Sequence, residues 1–310
     1  QTVKMLNDAV KLDVNLIAAS TSEEGAPIAD NSNIFGSLIM NAIEWNPTVP
    51  FMDNGDFVQE RYNNVQGIPT NPLALLRYHR DQSTVTNVLA SIGMTWDITD
   101  FLSYRLSYGT NRSVGRRNSD LSGDLFLNQI TDIGNASISQ VDNTSNTLTH
   151  TLNANTDLGK LAVSALAGYE YQNYKRFSTS MSGTNFTNFD VWGSDIMGNV
   201  QDGNISVSSY RDPTNELQSY FTRLFLNFDE KYLFRVSLRA DGSTKFGKNN
   251  QYGLFPALSA AWVLSEEAAF SGLDNLKLRV GWGKTGNQEF PAGAAQERYS
   301  YGQGTLALAN

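Results

Sequence analysis

The sequence predicts an all-β chain, a segment of an antiparallel transmembrane β-barrel with about nine strands. Three observations carry that expectation. Apolar and polar residues alternate with period two over long stretches, most of them roughly 10–15 residues, against the ~5–6 of a globular strand. Short and long connections take turns along the chain, as they do between the two rims of an outer-membrane barrel, although 244–254 and 266–275 are intermediate and weaken the rule. No stretch approaches the ~18 apolar residues of a membrane helix, a test that barrel strands escape because only every second residue is apolar.

The sharpest alternation lies at 101–108, where Leu102, Tyr104, Leu106 and Tyr108 stand against Ser103, Arg105 and Ser107. At 232–241, Phe234, Val236 and Leu238 oppose Arg235, Arg239 and Asp241. The first set is expected to face lipid, the second the lumen or rim. At 276–283, Leu276, Leu278, Val280 and Trp282 oppose Lys277 and Arg279. Weaker alternation marks strands at 10–24, 85–97, 147–157, 161–177, 216–229 and 255–265. Tight turns are expected at 98–100, 158–160 and 229–231, and long polar loops at 25–82, 113–146 and 178–215. The short turns then belong to the periplasmic rim and the loops to the outside. Trp96, Tyr108, Tyr169, Tyr171 and Tyr232 sit near strand ends, where aromatic girdles belong.

Composition excludes several functions. With 17% charged residues, 11% aromatics and a net charge of −8, the 310-residue chain lacks the basic face that nucleic acid requires. It contains no cysteine, hence no disulfide, thiolate metal site or thiol nucleophile. Gln1 is followed by no signal region, and the chain is expected to be an internal piece of a longer protein.

Three stretches carry a family resemblance. The first is Asn46-Pro-Thr-Val-Pro-Phe-Met-Asp-Asn-Gly-Asp56 with Asn71-Pro-Leu-Ala-Leu75. The second leads from Phe221 into Arg235-Val-Ser-Leu-Arg-Ala-Asp-Gly-Ser-Thr-Lys-Phe-Gly247. The third is Gly253-Leu-Phe-Pro-Ala-Leu-Ser-Ala-Ala-Trp262 with Leu276-Lys-Leu-Arg-Val-Gly281 and Thr285-Gly-Asn287. In this order they resemble the barrel of SusC/RagA-type TonB-linked outer-membrane transporters. The resemblance implies a barrel of about 22 strands, within the range open to such proteins. It also implies an N-terminal plug, which this chain lacks, so that residues 1–310 form a partial barrel domain. It further implies import of oligosaccharide or peptide, a SusD-type surface lipoprotein, the TonB complex and residence in the bacterial outer membrane among its lipid. No cofactor and no chemistry on the substrate are implied. A passive porin-like channel and a soluble β-rich glycan-binding or adhesin module remain as alternatives.

Gly281-Trp-Gly-Lys-Thr-Gly286 contains Gly-Lys-Thr, but Leu278 stands where a phosphate loop needs glycine and no helix follows. Asp53-Asn-Gly-Asp56 offers oxygen ligands, yet reads as an Asn-Gly turn without the remaining ligands of a calcium loop. His79 and His150 stand far apart and outside any metal-spaced cluster. No metal site and no catalytic pair follow. For substrate binding, Phe186, Phe189, Trp192 and Tyr210 are the candidates. They are large rings among amides and carboxylates in one expected outer loop, where they suit a sugar or a peptide. The same rings could instead hold that loop to itself.

Overall fold

The computed structural model describes all residues except 1, 7–8, 28–36, 60–68, 128–131, 187, 201–203, 248, 268–274, 292, 294–298, 303–304 and 309–310. In chain order it holds β1 (Thr2–Met5), β2 (Val10–Glu24), α1 (Leu38–Glu44), β3 (Met52–Asp53), β4 (Asp56–Phe57), α2 (Pro72–Tyr78), β5 (His79–Asp97), β6 (Leu102–Leu121), β7 (Asn135–Leu158) and β8 (Leu161–Thr184). There follow β9 (Ile205–Arg211), β10 (Asn215–Phe228), β11 (Tyr232–Ser243), β12 (Tyr252–Val263), β13 (Lys277–Gly283) and the hairpin β14 (Tyr299–Gly302) and β15 (Thr305–Leu308).

Eleven strands form one antiparallel sheet, ordered β1-β2-β5-β6-β7-β8-β10-β11-β12-β13 with β9 also paired to β8. All nine expected strands are in it; β1 and β9 are additional. None of the described helices is long and apolar enough to cross a membrane.

The register shows why the sequence alternates. Directly paired residues point to the same side of a sheet. One row runs Leu12, Met94, Leu106, His150, Tyr169, Tyr220, Ala240, Leu254. The row one residue away runs Asp13, Gly93, Ser107, Thr149, Glu170, Ser219, Asp241, Gly253. An apolar face therefore backs a polar face across the whole sheet. Phe234, Val236 and Leu238 join Ala260, Leu258 and Pro256 on the apolar face, while Arg235, Arg239 and Asp241 take the polar one. Trp96, Tyr108, Tyr169, Tyr171 and Tyr232 all carry the apolar register. No described residue covers that face over its lower half: Val280 is 69% exposed and Trp282 61%. An uncovered apolar surface of this extent requires an apolar solvent or partner.

His150 lies on the apolar face, where the Tyr104 hydroxyl meets its Nδ1 at 2.6 Å. Its ring stands in a file with Tyr104, Tyr169 and Tyr220. It is a satisfied side chain in an aromatic band, far from His79.

At one rim the connections are short. Gly159 takes a φ of +66° at the first of two residues joining β7 to β8, a conformation that costs glycine nothing. Asp229 to Lys231 join β10 to β11, and Ile98 to Phe101 join β5 to β6. Of the longer connections, 25–78, 122–134 and 185–204 leave from the other rim; 264–276, which joins β12 to β13, is the exception and leaves from the short-turn rim.

There the structure corrects the sequence. Much of what was expected as loop at 25–82, 113–146 and 178–215 is strand. β7 and β8 each run for 24 residues. At ~3.3 Å per residue they outreach a ~25 Å apolar band. Period two fades in their upper halves because both faces there meet polar groups or packed loops, so no face needs to be apolar. Hydrogen bonding between strands continues regardless.

Candidate functional site

The long-loop rim is built on both sides of the sheet. On the polar side, α1 and α2 with the 122–127 turn form a core of Ala74, Leu75, Leu125 and Leu127 beside Leu121 and Tyr78. Burial, then the charge of Asp124, raises the Tyr78 pKa above its usual value. Asn71 organises this core. Its Oδ1 accepts from the Leu73 and Ala74 amides and caps α2, with Pro72 opening the helix. Its Nδ2 donates to the carbonyls of Phe51 (2.7 Å) and Val58 (3.0 Å), tying in the β3–β4 hairpin. That hairpin turns at Asn54-Gly55, both with positive φ, so Asp53 and Asp56 flank a turn.

On the opposite side, residues 185–200 fold back over the upward continuation of the apolar face. Phe186 (4% exposed), Ala136, Met197 and Val200 make its core, with Ile138, Met181 and Phe189 against it. A buried polar clamp anchors it: Asp120 Oδ1 accepts from the Ser194 amide at 2.6 Å. Asp120 Oδ2 accepts from the Ser194 hydroxyl and from Arg80 Nε at 2.9 and 3.0 Å. The Arg80 guanidinium also lies 5.0 Å from the centre of the Trp192 ring and pairs with Asp195 at 2.9 Å.

Between β9 and β10 the chain makes a step. Phe177 pairs with Arg211 but Tyr174 pairs with Asn215, so two residues of β8 oppose three, Asp212, Pro213 and Thr214. This is a bulge, and Pro213, which has no N–H to give, sits in it. The step inverts the facing of β9 relative to β10. Tyr210, paired with Ser178, thereby lands on the polar side, 52% exposed.

At the bulge a cleft of about 290 Å³ opens, its wall including Asn111, Asn143, Ser145, Tyr174, Arg176 and Asp212. Its strand residues carry mainly the polar register: Asn111 pairs with Ser145, Ser145 with Tyr174, and Asn143 with Arg176. The Asp212 amide donates to the Arg176 carbonyl at 3.0 Å, holding the bulge closed on β8. Amides, hydroxyls, one exposed tyrosine, the Arg176 guanidinium, the Lys175 side chain and the Asp212 carboxylate thus line a concave surface.

The four expected site residues are therefore separated. Phe186 and Phe189 pack inside the 185–200 loop, and Trp192 stacks on its anchor. Tyr210 alone of the four is on the polar side, one strand position above the bulge. The cleft residues escaped the sequence reading because they are far apart in sequence, with Asn143, Ser145 and Asp212 in stretches expected as loop and Tyr174 and Arg176 in the expected strand 161–177. Pro213 beside Asp212 was the available signal.

Elsewhere on the polar face, Gly281 and Gly283 lie in β13 with no helix after them among the described residues, and the Phe255 ring occupies the space a Cβ at Gly286 would need. That geometry packs an aromatic ring; it does not cradle phosphate. Among the described residues, no group of three or more His, Asp or Glu side chains could hold a metal ion.

Comparison with known proteins agrees with this geometry. The family described as TonB dependent receptor-like, beta-barrel, matches residues 27–310. TonB-dependent receptor P39 of Formosa agariphila is 26% identical over 293 residues, 90% of this chain and 27% of that protein. TonB-dependent receptor SusC of Bacteroides thetaiotaomicron is 26% identical over 283 residues, 82% of this chain and 27% of that protein. The chain thus spans about a quarter of these relatives. The structure of the RagAB peptide transporter superposes with a TM-score of 0.79 at 19% identity, covering 98% of this chain and 34% of that one. With a continuous apolar face, one short-turn rim, one long-loop rim and this match, the chain belongs to the TonB-dependent receptor β-barrel family.

Proposed function

We propose that this chain is part of the wall of an outer-membrane active transporter, with its apolar face against lipid and its polar face lining the lumen. The short-turn rim is then periplasmic and the long-loop rim extracellular. The single observation behind the reading is the apolar row that runs across the sheet, uncovered by any of the described residues. The family supports uptake of oligosaccharide or peptide, energised by the TonB complex through a plug outside this chain and served by a SusD-type surface lipoprotein. The protein works without covalent chemistry on its cargo. Tyr210 and the cleft at the bulge are the binding surface in this reading; Phe186, Phe189 and Trp192 shape the loop behind them.

Single cysteines in the full-length parent test the sidedness. Gly198→Cys lies in the upper loop, where an added Cβ meets nothing within 4 Å, and Asp100→Cys lies exposed in a short turn. An impermeant thiol reagent on intact cells is expected to label position 198 and spare position 100, with the unsubstituted parent as blank. Equal labelling of both overturns the topology.

A further inference from the structure

We propose that the cleft at the Pro213 bulge is a subsite for an acidic sugar unit of an oligosaccharide, with Tyr174 as ring platform and Arg176 as partner of the sugar's carboxylate. The proposal rests on the transport reading above and names its cargo.

The cleft's chemistry selects a sugar. Tyr174 is 43% exposed, and its hydroxyl is already engaged by Gln172, so the ring offers mainly a face. Asn111, Asn143 and Ser145 surround it with short donors and acceptors on rigid strands. An apolar ring face edged with amides and hydroxyls matches a pyranose, which presents C–H groups on one side and hydroxyls around its rim. The bulge fixes this geometry, since bulges re-aim side chains beside functional sites.

The charge selects an acid. Arg176 is exposed and, among the described residues, has no carboxylate within ion-pair distance, although Asp212 shares the cleft. Asp212 remains free to accept a hydroxyl proton. A second region repeats the sign. Lower on the same face, Arg223 pairs with Ser237, Arg235 with Ser259, and Arg279 with Ala261. These three arginines are exposed and, among the described residues, have no carboxylate within ion-pair distance. Their neighbours are Ser, Ala and Phe, and Arg235 rests 5.3 Å over the Phe225 ring. Arg239, one layer above, is by contrast neutralised by Asp241 at 2.7 Å and Glu170 at 3.6 Å. A chain of net charge −8 thus exposes unpaired guanidinium groups along its polar face. A lumen lined in this way concentrates anions.

The test uses the detergent-solubilised full-length parent and titration calorimetry. The probes are tetramers of galacturonate, glucuronate, mannuronate and guluronate, each beside its carboxyl-reduced counterpart, with tetraglutamate as the acidic peptide. At least one acidic tetramer is expected to bind ~10-fold or more tighter than its reduced form, the scale of a charge-assisted hydrogen bond. Arg176→Gln should erase that ratio, Arg176→Lys should retain part of it, and Tyr174→Ala should weaken both members of the pair. Thermal melting of each variant reports on folding. The proposal is overturned if no tetramer shows a preference over its reduced form, or if tetraglutamate binds as well as the best sugar. It is equally overturned if Arg176→Gln leaves the ratio intact, or if it lowers the melting temperature as far as it lowers binding, since the arginine then serves the parent's own assembly. Labelling at positions 198 and 100 is read independently, so a wrong cargo and a wrong topology are told apart.

Discussion

At the scale of single residues, two contacts bear most directly on the architecture. Gly168 pairs with Phe221 on the polar face, and a Cβ there would fall 2.3 Å from the Phe221 ring and 3.0 Å from the His150 carbonyl oxygen. The ring can swing away but the carbonyl belongs to the ladder of the adjoining strand. Gly168→Val is therefore expected to destabilise the barrel by ~1–3 kcal/mol, the usual cost of overpacking. The check is the temperature at which the folded, fast-migrating band is lost on electrophoresis. The second contact is the Arg80–Asp120–Ser194 clamp. Asp120 is 1% exposed, and removing Arg80 strands part of a buried carboxylate. Arg80→Ala should cost ~3–5 kcal/mol locally. Limited proteolysis is expected to cut the 185–200 segment in Arg80→Ala while the barrel stays intact; an unchanged digestion pattern would show that the clamp does not hold the loop.

At the scale of elements, legibility followed the solvent. Where one face of a strand meets an apolar medium and the other a polar one, period two is forced on the sequence, and 101–108, 232–241 and 276–283 were readable for that reason. The upper halves of β6 to β8 obey no such rule. Arg112 pairs with Asp142 across one face, while on the other Arg117 is ion-paired to Asp81. Polar residues on both sides look like loop, although the ladder is continuous. The bulge was invisible because a one-residue offset leaves no compositional trace beyond Asp212-Pro213, and it alone decides that Tyr210 shares a face with the cleft. Amides of 113–121 and 135–146 should accordingly exchange with deuterium as slowly as those of 102–110. Exchange within seconds would return these stretches to loop.

At the scale of the whole molecule, the sheet is open at β1 and β13 among the described residues, and the apolar face is continuous between them. Both facts suit a segment of a larger barrel wall and suit a self-contained soluble domain poorly, because an uncovered face and free edges invite aggregation. The central claim is that this face meets lipid. It is tested most directly by placing a nitroxide in turn at each position from 233 to 239 of the full-length parent, reconstituted in bilayers. Collision rates with oxygen, which partitions into lipid, are compared with those of a water-soluble nickel chelate. Oxygen accessibility is expected to oscillate with period two, high at Phe234, Val236 and Leu238 and low at Leu233, Arg235, Ser237 and Arg239. A flat profile, or maxima at the arginine positions, would contradict it.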